Sequence, residues 1–181
     1  MLDRATLCAM TDATTVAIRA WSPDDLPLLH GLLGDPAMTE HLGGPETEDQ
    51  IMKRHGRYLA IVASGTAGVF AITVGPSATP VGWVGYWDSE WRGEATWETG
   101  WSVLPAWQGR GIASRGASLA LERAADERTH RFVHAYPAVA NIASNRVCEH
   151  LGFELVDTAE FEYPPGTGHR MSANNWRRPL F

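Results

Sequence analysis

The chain has 181 residues, 44% of them hydrophobic and 20% charged, with 18 glycines, 11 prolines and 8 tryptophans; that is the balance of one globular domain with a real core, not of a disordered or fibrous chain. A formal net charge of -6 argues against a polyanion as main partner, because nucleic-acid binding draws most of its affinity from clustered Lys and Arg. Cys8 and Cys148 are the only cysteines and have no CxxC spacing, which excludes a disulfide framework and a zinc ribbon and fits reduced thiols in the cytoplasm.

No run of 18 or so apolar residues occurs and the start of the chain lacks the apolar stretch of a signal peptide, so no membrane partner is expected and a cytoplasmic location is. Residues 1–14 carry no pattern and read as a loose terminus; 15–181 read as one domain.

Along the chain, "TVAIRAW" reads as an edge or near-edge strand, and Ser22, Pro23 and Asp25 open a short first helix. Thr47 and Gln50 stand in capping-box spacing and start a second helix that runs from about Glu48 to the low sixties. The period then changes to that of strands: "GVFAITV", the doubly apolar "PVGWVGYWD" and "ATWETGWSVL", stopped by Pro105. A glycine-rich loop leads into a helix with Ala113, Ala117, Ala120 and Ala124 on one stripe, suited to close packing on a sheet. "RFVHAYP" returns as a strand, and Asn141 caps a further helix that Gly152 ends. "FELVDTAEFEY" and "GHRMSANNWRR" complete the sheet. The expected architecture is α/β: about seven strands in a mixed sheet with about four helices on both faces.

The loop "LPAWQGRGIASRG" is the most informative stretch. A glycine-rich turn entering a helix is an anion site, because the first helical N–H groups are unpaired and lie at the positive end of the helix dipole. Gly109 and Gly111 leave the backbone accessible, Ala113 is small, and Arg110 and Arg115 add positive charge; a diphosphate fits best. A P-loop would need GxxxxGK[ST], which is missing, and the dinucleotide fingerprint would need glycine at Ser114.

The pattern Q/R-x-x-G-x-G/A is met by Gln108, Gly111 and Ala113. With "ETGWSVLP" before it and "NIASNRVCEHLGF" after it, the chain resembles the GNAT superfamily of acetyl-CoA-dependent N-acetyltransferases, in its branch of ribosomal-protein N-terminal acetyltransferase-like enzymes. The resemblance implies that the strand from Glu98 to Val103 splays from the one containing "RFVHAY". It places the pantetheine arm of coenzyme A against Trp101, Ser102 and Val103, and the diphosphate on Gln108, Gly109, Arg110, Gly111, Ile112, Ala113 and Ser114. Asn141 and Ser144 would reach the pantetheine from the next helix.

By the same resemblance Glu98 takes the amine proton through a water; its alternative is an exposed strand carboxylate beside Arg92. Cys148 occupies the position where many relatives have a tyrosine proton donor, and a buried thiol is a poor acid. Cys148 is therefore read as structural, with Ser144 or water serving the departing thiolate. His130 and His134 are four apart in a strand, too far separated along the chain for a metal pair, and no metal is expected. Tyr163 and His169 flank a loop, "PPGTG", with two readings, a border of the acceptor site or a plain surface hairpin.

Acceptors implied by the resemblance are a protein N-terminus, an aminoglycoside or another small amine, and the acids of "EHLGGPETEDQ" would favour a cationic one. A homodimer through sheet edges is left open. The rival classes are an acyl-CoA-binding sensor without turnover and a nicotinamide-dependent oxidoreductase.

Overall fold

The computed structural model describes residues 15–65, 67–162 and 170–181. The expectations for the N-terminal 14 residues and for Tyr163 and His169 therefore lie outside the described residues. Seven strands form one sheet in the order β1-β2-β3-β4-β5-β7-β6. They are β1 Val16–Ala20, β2 Gly68–Val74, β3 Thr79–Trp91, β4 Glu94–Val103, β5 Phe132–Ala135, β6 Glu154–Glu162 and β7 Arg170–Pro179. All neighbours pair antiparallel except β4 and β5, which are parallel.

Five α-helices accompany them among the described residues: α1 Leu26–Leu33, α2 Pro36–Thr39, α3 Glu48–Ser64, α4 Ile112–Glu127 and α5 Ile142–His150. The expectation was about four. The additional one, α2, is a single turn made possible by Asp35, whose carboxylate accepts from the Ala37 N–H at 2.8 Å, followed by Pro36 at the first helical position. The first helix also begins differently from its reading: Pro23–Asp25 is a 3-10 turn that leads into α1. Its geometry is fixed by Asp25, which accepts from the Ser22 N–H at 2.8 Å and pairs with Arg19 at 2.6 Å.

The alternation of side chains along the strands divides the core between the two faces. Phe70, Ile72, Val84, Tyr86, Trp97 and Val133 are buried against Ala117, Ala120, Leu121 and Ala124 of α4. Val69, Ala71 and Trp83 are buried on the other face against Leu28, Leu29, Leu32, Ile51 and Tyr58 of α1 and α3. Each fully buried leucine here contributes roughly 1.5–3 kcal/mol. The alanine stripe of α4 brings that helix very close: a Cβ at Gly116 would stand 2.6 Å from Ile72 Cδ1. This close seat fixes where the N-terminus of α4 ends up relative to the sheet.

Candidate active site

β4 is hydrogen-bonded to β3 along its whole length, from Glu94 to Val103. Its ladder with β5 is different: only Trp97↔Val133 and Glu98↔His134 are in register. After Glu98, β4 runs on through Val103 while β5 stops at Ala135, so the parallel pair opens toward the C-terminal ends of both strands. The opening leaves one side of β4 without a strand partner, which is how a sheet makes room for an extended guest.

At the mouth of the opening the chain reverses at Leu104–Gln108. Trp107 donates its N–H to Leu104 O at 2.8 Å, and Gln108 to Pro105 O at 3.2 Å. The Gln108 side-chain amide then donates to Val103 O at 2.9 Å, tying the loop to the end of β4 and occupying the carbonyl of Val103. Gly109 and Gly111 both take φ of 71°, the left-handed region that only glycine enters without strain. Gly111 is the N-cap of α4. The amides of Ile112, Ala113 and Ser114 follow it in the first turn, where no intrahelical acceptor exists. Nothing lies within 4 Å of a Cβ built on Gly109, so the loop is an open cradle rather than a packed turn. Arg110 lies over the Trp107 ring at 5.1 Å, and Arg115 donates to Arg110 O at 3.0 Å, holding both guanidinium groups at the loop.

α5 stands beyond the opening. Asn141 caps it, its Oδ1 accepting from the Ser144 N–H at 3.0 Å, and Ser144 is half-buried. Cys148 is fully buried with the α4 core, and burial pushes its thiol up to about 12. A proton held that tightly is not available near neutral pH. Cys148→Ser is expected to leave kcat within a few-fold of wild type while costing about 1–3 kcal/mol of stability for the buried hydroxyl, measured by steady-state kinetics and chemical denaturation.

Side chains of β4 alternate across the opening. Trp97 and Val103 point into the α4 core, with Trp101 packed against it. Glu98, Gly100 and Ser102 face the opposite side, where a Cβ on Gly100 would lie 3.3 Å from Trp87 Cη2 and 3.5 Å from Trp83 Cη2. Trp83 and Trp87 stack with centroids 6.4 Å apart and line this face. The site residues therefore fall into two groups. Trp101, Val103 and the loop belong to the α4 side with Asn141 and Ser144, whereas Glu98 belongs to the side of α1 and α3.

Glu98 is half-buried. It is not the exposed neighbour of Arg92, since Arg92 pairs with Asp157 at 2.9 Å. Its Oε2 instead accepts from Ser89 Oγ at 3.2 Å. Burial raises the Glu98 carboxyl above the usual carboxylate range, and hydrogen bonds from Ser89 and Trp87 together with the charge of Arg57 moderate the rise. In turn, burial and the nearness of Glu98 push the Tyr136 hydroxyl up to about 12. Tyr136, Trp83, Trp87, Ser89 and Arg57 were not singled out from the sequence; period-2 alternation from Glu98 across paired strands would have found the tryptophans, but not Arg57. His130 lies before β5 rather than in it and bonds Asp88 at 2.7 Å, whereas His134 is in β5 and bonds Asn175 at 2.7 Å.

A mixed sheet parted between two parallel strands, with a glycine cradle on a helix N-terminus at the parting, is the architecture of an acetyltransferase. Residues 15–154 match the acetyltransferase (GNAT) domain, and the chain belongs to that family. Its fold is similar to that of an acetyltransferase from Salmonella typhimurium that modifies the N-terminal serine of ribosomal protein L7/L12, at 22% identity and TM-score 0.76, covering 92% of this chain and 95% of that one. It is also similar to a GNAT-family acetyltransferase from Bacillus anthracis, at 20% identity and TM-score 0.74, covering 93% and 96%. A spermidine N-acetyltransferase from Vibrio cholerae, in complex with coenzyme A and spermine, matches at 16% identity and TM-score 0.69, covering 91% and 95%.

Proposed function

We propose that this acetyltransferase moves acetyl from acetyl-CoA directly to a primary amine on a protein N-terminus, an aminoglycoside or another small molecule. The observation that carries the reading is Glu98: a half-buried carboxyl, raised in proton affinity, at the residue where the β4–β5 ladder ends. The residues present fit coenzyme A, because the cradle at Gly109 is open and two left-handed glycines lead into the first turn of α4. Gln108, Gly109, Arg110, Gly111, Ile112, Ala113 and Ser114 would hold its diphosphate. Trp101, Ser102 and Val103, with Asn141 and Ser144, would hold the pantetheine arm, the N–H rather than the engaged carbonyl serving at Val103.

When bound, acetyl-CoA supplies an acyl group activated as a thioester. The chain's part is to set the amine beside it and to manage protons. Fixing both reactants in one cleft removes much of the entropic barrier. An acceptor ammonium must lose a proton before it can attack, and Glu98 is the base that takes it, directly or through a water; its raised proton affinity makes it a stronger base than an ordinary carboxylate. An N–H of β4 polarises the carbonyl. Ser144 or water returns a proton to the leaving thiolate.

The acceptor side is less cationic in preference than the acids of "EHLGGPETEDQ" imply, since Glu46 pairs with Arg54, and Glu48 lies 3.5 Å from His30. Proteins with this fold act on acceptors as different as spermidine and the N-terminal serine of L7/L12, so a panel is needed. Thermal-shift titration with acetyl-CoA, coenzyme A and NAD is expected to raise Tm with both coenzyme A species and not with NAD. Product formation should then follow with at least one amine. No shift with any coenzyme A species sinks the donor site, and a shift without turnover of any amine assigns the chain to the sensor class.

A further inference from the structure

His134 is the Glu98 partner across the only two paired residues of the β4–β5 ladder. Neighbouring strands lie about 4.8 Å apart, and residues in register leave a sheet on the same face. The two side chains therefore stand side by side where the strands part. His134 is fully buried, at 0% exposure. Its Nδ1 lies 2.7 Å from Asn175 Oδ1, an atom that can only accept, so Nδ1 carries the hydrogen. Nε2 is then a bare lone pair, and among the described residues that buried atom has no hydrogen-bond partner. A buried polar atom without a partner is costly and calls for an explanation. Trp91 at 5.2 Å and Tyr136 at 5.9 Å flank the ring and fix its plane.

We infer that His134, held in one tautomer by Asn175, is the positioning residue that accepts the acceptor amine's proton onward from Glu98. The inference rests on the acetyl-transfer reading. The ammonium N–H bond breaks and its electron pair stays on nitrogen as the nucleophilic lone pair, while the proton forms an O–H on Glu98. That O–H then breaks as the proton moves through a bridging water to Nε2, to which no described side chain hydrogen-bonds, giving an imidazolium and restoring the carboxylate. The imidazolium, itself sealed from solvent, later returns the proton by the same route to Glu98, which is only half-buried and passes it to solvent once the product has left.

The surroundings suit such an exchange. Burial raises Glu98 and lowers His134, so the proton affinities of a carboxylate and an imidazole, about two pKa units apart in water, move toward one another. The other charged and titratable groups facing the ring are Glu94 on β4, Tyr136 just after β5, Asp157 on β6 and Arg177 on β7, with Arg92, in the turn between β3 and β4, pairing with Asp157. Arg177 opposes the imidazolium, and Glu94 and Asp157 favour it, so the charge is tolerated without being locked in.

His134→Asn retains an amide N–H toward Asn175 and removes the acceptor at Nε2. It is expected to lower kcat at least about tenfold, within the range of acid–base effects, with KM for acetyl-CoA unchanged and a simplified acid limb in the pH–rate profile. Asn175→Asp places a carboxylate on Nδ1, should raise the proton affinity of the ring, and should move the acid limb to higher pH. A folded His134→Asn protein with wild-type kcat and an unaltered pH profile overturns the inference. Should that variant not fold, the ¹⁵N resonances of the wild-type imidazole decide: Nε2 is expected to be unprotonated at neutral pH and to shift in Glu98→Gln. An imidazole unresponsive to Glu98→Gln overturns the pairing whatever the enzyme does. Absence of turnover in the wild type, by contrast, overturns the acetyl-transfer reading itself.

Discussion

Glu98→Gln is expected to lower turnover by about 10²–10⁴-fold, the usual span for losing a general base, while leaving the affinity for coenzyme A unchanged. The glutamine keeps the shape of the side chain and its contact with Ser89 but cannot take a proton from the amine. The same substitution should raise stability at neutral pH. Because burial lifts the folded-state pKa of Glu98 above its unfolded value, the contribution of this group is fully present below the ordinary glutamate pKa and is lost as pH rises through the lifted one. The ionised carboxylate is then a destabilising group that glutamine removes. Melting curves of the two proteins should therefore separate near pH 7, with the variant higher, and converge as the pH falls well below the ordinary glutamate pKa of about 4.3, where wild-type Glu98 is protonated in both states. A variant that melts lower than wild type at neutral pH would mean that the carboxylate is anchored by bonds stronger than those to Ser89 and Trp87. Full turnover would remove Glu98 from the chemistry.

Gly111→Val is expected to raise the dissociation constant for coenzyme A at least about tenfold, which corresponds to about 1.4 kcal/mol. The effect is conformational and not steric: a Cβ there meets only the Arg115 guanidinium, at 3.7 Å. A β-branched residue at φ of 71° costs about 1–2 kcal/mol or more, and the loop relieves it by rotating the peptide units on either side. Those units lead into the first turn of α4, so their N–H groups no longer converge. Isothermal titration with coenzyme A measures the loss. Unchanged affinity would mean that the loop from Gln108 to Ser114 does not carry the diphosphate.

Local chemistry was what the sequence made legible. Thr47 and Gln50 start α3, Pro105 stops β4, Asn141 caps α5, and Gly152 sits at φ of 75° after it; each is decided by residues within one turn of the feature. Glu98 was found through its motif position, yet its surroundings were not, because Ser89 on β3 bonds it, and the charge of Arg57 on α3 and the hydroxyl of Tyr136 after β5 interact with it, from distant parts of the chain. The pairing of His134 with Asn175 spans 41 residues and depends on β7 being inserted between β5 and β6, an order that periodicity cannot supply. The turn α2 escaped because four residues are too few to show a period, although Asp35-Pro36 was a readable start. The alternation that placed Trp83 and Trp87 in a strand did not say which face would be filled by helices and which left to a guest.

The interrupted ladder between β4 and β5 also has a mechanical meaning. Two residue pairs join a leaf made of β1 to β4 to a leaf made of β5, β7 and β6, while every other junction in the sheet is a longer run of backbone bonds. Opening at that seam costs fewer bonds than opening anywhere else, so the two leaves are the natural units of partial unfolding. An extended molecule that entered the seam and bonded to both leaves would act as a missing strand, carrying the ladder past Glu98 and stiffening the one weak junction of the sheet.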